Sequence, residues 1–190
     1  IKRIPEIMAD NNEAQAPVAG SEKRVAARVA IIGGGLAGCE CALALAKAGV
    51  AVTLYEMRPG KSSPAHETGL LGELVCSTSL RSDELTMAIG VLKEEMRELG
   101  SLVMRAAEAT RIPAGKALAV DRTRFARFIT EAVEQHPLVT LVREELTSLD
   151  DPRLADSDAV VVAAGPLASD ALAKHLMEST SGDGVANLYF

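Results

Sequence analysis

The apolar positions of this chain fall into short continuous runs, separated by stretches that repeat every three or four residues. Residues 29–32 are four apolar residues in a row, the pattern of a strand covered on both faces. Residues 36–48, rich in Ala and Leu, predict a helix, and Gly49 stands where that helix stops. Residues 51–55 predict the next strand. Ser82 is placed as an N-cap, with Asp83 and Glu84 in a first helical turn. Leu85, Ala88, Leu92, Met96, Leu99, Val103 and Ala106 then recur at helical steps to about Ala109, a pattern interrupted by Gly90 and Gly100. Residues 112–115 predict a turn and residues 117–120 a short strand. Asp121 caps an amphipathic helix whose buried stripe is Phe125, Phe128, Ile129, Ala132 and Val133. After a turn at His136-Pro137, residues 139–143 predict a strand, 144–158 a polar connection, and 159–163 another strand buried on both faces. Ser169 caps a last helix to about Glu178. Residues 73–81 fit neither period. Strands alternating with helices predict an α/β fold: a doubly wound, mostly parallel sheet.

The first three elements carry the candidate chemistry. Between strand and helix, Gly33, Gly35 and Gly38 form G-x-G-x-x-G. The first glycine permits a tight turn, the second lets the backbone approach a pyrophosphate, and the third lets helix and strand pack closely. Glu56 ends the second strand, where a carboxylate can accept hydrogen bonds from a ribose hydroxyl while the helix N-terminus faces the phosphates. Strand, helix and acid together complete a dinucleotide-binding fingerprint, which does not choose between FAD and NAD. The alternative is a glycine-rich turn that binds nothing. Far downstream, residues 163–165 read Ala-Ala-Gly. Small residues there would let the backbone pass a bound dinucleotide, as in flavoproteins of the glutathione-reductase type, and this favours FAD.

Composition narrows the class. The 190 residues are 48% hydrophobic, enough for a globular core. No apolar run approaches the ~20 residues of a membrane span, and no signal peptide is visible. Three cysteines make no disulfide framework, which points to a reducing cytoplasm. With a net charge of −6, contact with RNA would need a local basic patch. Lys93, Arg97, Arg122, Arg124 and Arg127 are candidates. Glu94, Glu95, Glu98, Glu131 and Glu134 interleave with them, which favours a solvated mixed-charge face.

Several unusual blocks occur in order: GGGLAG (33–38), YEMRP (55–59), PAHET (64–68), ELVCSTSLR (73–81), GVLKEEMR (90–97), IPAGKALAVDR (112–122) and AAGPL (163–167). Together they closely resemble the N-terminal part of the folate- and FAD-dependent tRNA uracil-5-methyltransferases, the TrmFO family. The resemblance implies a Rossmann-like FAD-binding domain of glutathione-reductase type. It also implies methylene transfer from methylenetetrahydrofolate, by way of reduced FAD, to C5 of a T-loop uridine in tRNA, with NAD(P)H as reductant. Cofactor contacts are then expected from Gly33, Gly34, Gly35, Leu36, Ala37, Gly38, Glu56, Met57, Arg58 and Gly165. Cys76, in ELVCSTSLR, matches one of the family's two catalytic cysteines, whose thiolate attacks C6 of uracil.

The resemblance assigns residues 29–190 to the FAD-binding domain, truncated relative to the family. Residues 1–28 are read as a flexible leader, and a complementary C-terminal part is a possible partner. The runner-up among enzymes is the glucose-inhibited division protein A family, which lacks the YEMRP and ELVCSTSLR blocks. An rRNA uridine methyltransferase and a non-catalytic FAD-binding module remain the other readings. Cys39 and Cys41 are read as packing residues, His66 as a solvated loop residue, His136 as structural and His175 as exposed.

Overall fold

The computed structural model of the chain describes residues 27–180. In chain order its elements are β1 (Arg28–Ile32), α1 (Leu36–Lys47), β2 (Ala51–Tyr55), β3 (Ser79–Ser82), α2 (Ala88–Glu98), α3 (Leu102–Ala109), β4 (Arg111–Ile112), β5 (Ala117–Val120), α4 (Arg122–Glu134), β6 (Val139–Val142), β7 (Ala159–Val162) and α5 (Asp170–Thr180). Four strands form a parallel sheet in the order β6-β2-β1-β7. Ile31 lies between Leu54 and Val161 in that register. Alternate side chains of β1 leave on opposite faces and build two cores. Ile31, Val52 and Leu54 pack with Cys39, Ala42, Leu43, Phe125 and Ile129 of α1 and α4. Ala30, Ile32 and Tyr55 pack with Leu146, Leu154, Leu172 and Leu176 on the other side. Helices on both faces of a parallel sheet make the fold α/β and doubly wound, as the alternation predicts.

Three expectations need correction. Ser82 does not cap a helix. It ends β3, and its hydroxyl accepts the Glu84 N–H at 3.2 Å, a local turn that competes with helix. The helical stretch to Ala109 is two helices, because Gly100 takes φ +70° and breaks it. Its stripe is divided: Leu85, Leu92 and Leu99 are 63%, 49% and 85% exposed, whereas Ala106 is buried in the core and Met96 and Val103 pack against it.

The third concerns β7. It was expected to be buried on both faces, yet Val160 and Val162 are 37% and 40% exposed. It sits at the end of the strand order and, among the described residues, pairs with β1 alone. An apolar run reports a wish for cover, not the presence of cover.

A second, antiparallel sheet, β3-β5-β4, was not anticipated. Its strands are only two to four residues long, below what periodicity can resolve. The expected leader lies outside the described residues except for Ala27 and Arg28. Arg28 opens β1, and its N–H donates to Asp158 Oδ2 at 2.7 Å. Among the described residues no helix is long and apolar enough to cross a membrane.

Candidate functional site

The turn between β1 and α1 is built on close backbone approaches. Gly33 has φ +109°, and a Cβ there would meet the Ala163 carbonyl oxygen at 2.7 Å. Gly38 packs so near the Gly33 carbonyl that a side chain would collide with backbone. Gly35 differs: nothing lies within 4 Å of a Cβ placed on it. It is also the N-cap of α1, with no side-chain cap and no acidic residue in the first turn. That end of the helix presents N–H groups and positive dipole to open space, the ordinary setting for a phosphate.

Glu56 faces this turn from the end of β2. It is 5% exposed, and its two oxygens do different work. Oε2 accepts the Gly34 N–H at 2.7 Å. Oε1 accepts Arg58 through its backbone N–H at 3.0 Å and its Nε at 2.8 Å. Burial pushes the Glu56 carboxyl pKa up, but the hydrogen bonds and charge of Arg58, with Gly34, outweigh it and hold the group below its ordinary value. Glu56 is therefore an anion at neutral pH, with lone pairs to spare for hydroxyl donors.

A cleft opens over these groups. It is lined by Gly33, Gly34, Gly35, Glu56, Met57 and Arg58 on one side, and by His66, Glu145, Ala164, Ser169 and Leu172 around them. The structure thus brings together six of the predicted contacts. Leu36, Ala37, Gly38 and Gly165 do not line the cleft. Leu36 and Ala37 lie in the first turn of α1, Gly38 packs behind it, and Gly165 is exposed next to the lining Ala164.

Cys76 is exposed and is not among the cleft residues. Cys39 is buried, donates to the Gly34 carbonyl at 3.3 Å, and has its thiol pKa raised to about 12 by burial, so it is an inert packing residue as expected. Cys41 is half-buried, and burial raises its pKa too.

His66 is not simply solvated. It is half-buried, bonds Ser63 Oγ at 2.7 Å, and lines the cleft; burial, then Arg58, lowers its pKa. His175 is half-buried rather than exposed, within reach of Ser148 and Ser179. His136 is structural, accepting the Leu138 N–H at 3.3 Å.

Sequence reasoning missed Glu145 and saw Ser169 only as a cap, a role it also fills at 3.4 Å from Leu172 N. No local motif marks either residue; only the return of the chain beside β2 places them. Of the candidate basic residues, Lys93 is buried and donates to the Ser82 carbonyl at 2.7 Å. Arg97 is occupied by Asp83, Glu94 and Glu108.

The chain is 63% identical over 161 residues to the methylenetetrahydrofolate–tRNA-(uracil-5-)-methyltransferase TrmFO of Oleidesulfovibrio alaskensis, covering 85% of this chain and 35% of that protein. It is 56% identical over 162 residues to the protein of the same name from Geobacter sulfurreducens, covering 85% and 35%. For the Streptococcus sanguinis protein of that name the figures are 53% over 154 residues, 81% and 34%. The chain therefore spans about a third of the length of these curated relatives.

Among solved structures, the 6-hydroxypseudooxynicotine amine oxidase of Pseudomonas geniculata N1 overlaps 74% of this chain and 14% of its own. The TM-score is 0.37 at 21% identity. Residues 28–186 match the family model described as glucose inhibited division protein A, the runner-up of the sequence reading. The relatives named above carry the other name. The chain belongs to the glucose inhibited division protein A family, and within it matches the N-terminal part of the TrmFO proteins.

Proposed function

We propose that this chain is the FAD-binding portion of a methylenetetrahydrofolate-dependent tRNA (uracil-5-)-methyltransferase. The observation that carries the reading is the convergence, at one cleft, of the open Gly35 backbone, the uncapped N-terminus of α1 and the anionic Glu56. These groups fit the adenosine diphosphate end of FAD. Phosphate oxygens would meet the backbone of the Gly33–Gly35 turn at the N-terminus of α1, and a ribose hydroxyl would donate to Glu56. Met57, Arg58 and Gly165 would flank that end. The flavin, when bound, supplies the redox and one-carbon chemistry; the protein supplies position and electrostatics.

Cys76 is the candidate nucleophile toward C6 of uracil, and its exposure suits attack on a large RNA substrate. NAD(P)H and methylenetetrahydrofolate are the co-substrates this reading requires. The RNA would be engaged with the help of a complementary C-terminal part, in the cytoplasm.

The test is to denature the purified chain and identify what it releases, then to titrate the apo protein with FAD. FAD is expected, and tight NAD binding without FAD overturns the reading. Replacing Glu56 by Ala is expected to weaken FAD by about 1.5–3 kcal/mol. Unchanged affinity removes Glu56 from the site.

A further inference from the structure

Arg58 is one of the largest fully buried side chains of the molecule, and it lies between two carboxylates. Its Nε donates to Glu56 Oε1 at 2.8 Å, and its Nη1 to Glu73 Oε2 at 3.1 Å. The side chains of Arg58, Glu56 and Glu73 are 2%, 6% and 3% exposed. Glu73 also holds the loop before it, accepting the Glu67 N–H at 3.0 Å, the Thr68 N–H at 3.2 Å and the Thr68 hydroxyl at 2.9 Å. Arg143 closes the same loop from outside, donating to the Gly69 carbonyl at 2.6 Å and the Arg58 carbonyl at 3.3 Å.

A guanidinium next to a single carboxylate takes both of its oxygens, the bidentate arrangement that planar forks favour. Here it does not. The side chain of Arg58 touches only Oε1 of Glu56, through Nε, while Nη1 bonds Glu73 and so fixes the plane of the guanidinium. Oε2 is left with one short bond from the Gly34 backbone, beside the cleft.

We propose that Glu73 is a positioning residue for dinucleotide binding: by sharing Arg58 it keeps Oε2 of Glu56 free to accept from the ligand's ribose. Without the Glu73 charge that plane is no longer held, and the Nε–Nη2 edge of the guanidinium turns onto Glu56 and occupies both oxygens. The inference rests on the reading that the cleft holds FAD with its ribose at Glu56.

The test is a double-mutant cycle on the full chain, with FAD titrated into apo protein and thermal melting recorded without ligand. Failure of the unaltered chain to bind FAD defeats the functional reading before any substitution is made. If it binds, Glu73→Gln is expected to raise the Kd about tenfold. The same substitution in a Glu56→Ala background is expected to change the Kd little, since both carboxylate oxygens are gone. Unchanged affinity of Glu73→Gln overturns the proposal. An equal loss in both backgrounds also overturns it, because Glu73 would then serve the fold alone. If Glu73→Gln does not melt cooperatively, Glu73→Asp takes its place. Its shorter reach is expected to give a smaller loss that likewise vanishes without Glu56, and no loss, or the same loss in both backgrounds, overturns the proposal.

Discussion

The β1–α1–β2 unit and the stretch from β3 to the end of α2 both carry apolar residues at regular steps, and those residues meet opposite fates. In the first, Ile31, Leu54 and Cys39 are fully buried, and the elements end within a residue of where the pattern ends them. In the second, Leu85, Met87, Val91 and Leu92 face outward, and what α2 buries is Gly90 and the Lys93 side chain. The difference is one of neighbours. Val52 and Leu54 have α1 and α4 over them within the same chain, whereas α2 touches little beyond α3 and β3. Periodicity states which face of an element seeks cover, and the fold decides which element obtains it.

The largest effect expected from this contrast is at Gly38. A methyl group there meets the Gly33 backbone, which cannot swing aside without moving β1. Gly38→Ala should destabilise the domain by more than about 3 kcal/mol, in the range of severe core lesions. Gly35→Ala is the internal control: its surroundings are open and its φ of −73° suits alanine, so stability should stay within about 0.5 kcal/mol. Chemical unfolding separates the two variants. Equal stability would mean that the turn does not depend on close packing.

That pair also shows what was legible in advance. The roles of Gly33, Gly35 and Gly38 follow from their spacing, because each depends on residues a few positions away. The exposed α2 face, the outward Val160 and Val162, and the inclusion of Glu145, Ser169 and His66 in the cleft depend on contacts between distant segments. Lys93 shows the limit well. Its place among charged residues marks a solvated face, but its ammonium donates to the Ser82 carbonyl at the end of β3 and the Ile89 carbonyl of α2, which no helical period could announce. Arg58 stands between these cases. The YEMRP block singles it out by resemblance, and only the fold shows that Glu73 lies opposite.

An intermediate effect should come from acid. Glu56 and Glu73 each face burial, which raises the carboxyl pKa. In both, hydrogen bonds win and the folded value lies below the ordinary 4.5: Arg58 and Gly34 bond Glu56, and Glu67, Thr68 and Arg58 bond Glu73. A lowered folded pKa stabilises the protein above the unfolded value, and that contribution is lost as pH falls through the folded one. Melting temperature should therefore drop as pH falls below about 4.5. Glu56→Gln should flatten the drop. An unchanged slope would show that the buried cluster does not couple to folding.

The smallest effect should be at Leu99, and it completes the contrast. Leu99 is the C-cap of α2, 85% exposed, followed by Gly100 in the left-handed region that ends the helix. Its N–H already bonds the Glu95 carbonyl, so the helix terminus does not depend on the side chain. Replacing it by Ser removes almost no buried area, and stability should change by less than about 0.5 kcal/mol. Met104, in the next helix, is 2% exposed, and Met104→Ala should cost about 2–5 kcal/mol. Urea unfolding of the two variants measures the gap directly. Near-equal losses would mean that α2 is covered in solution, and that the exposed apolar face seen here is not the face the folded chain presents.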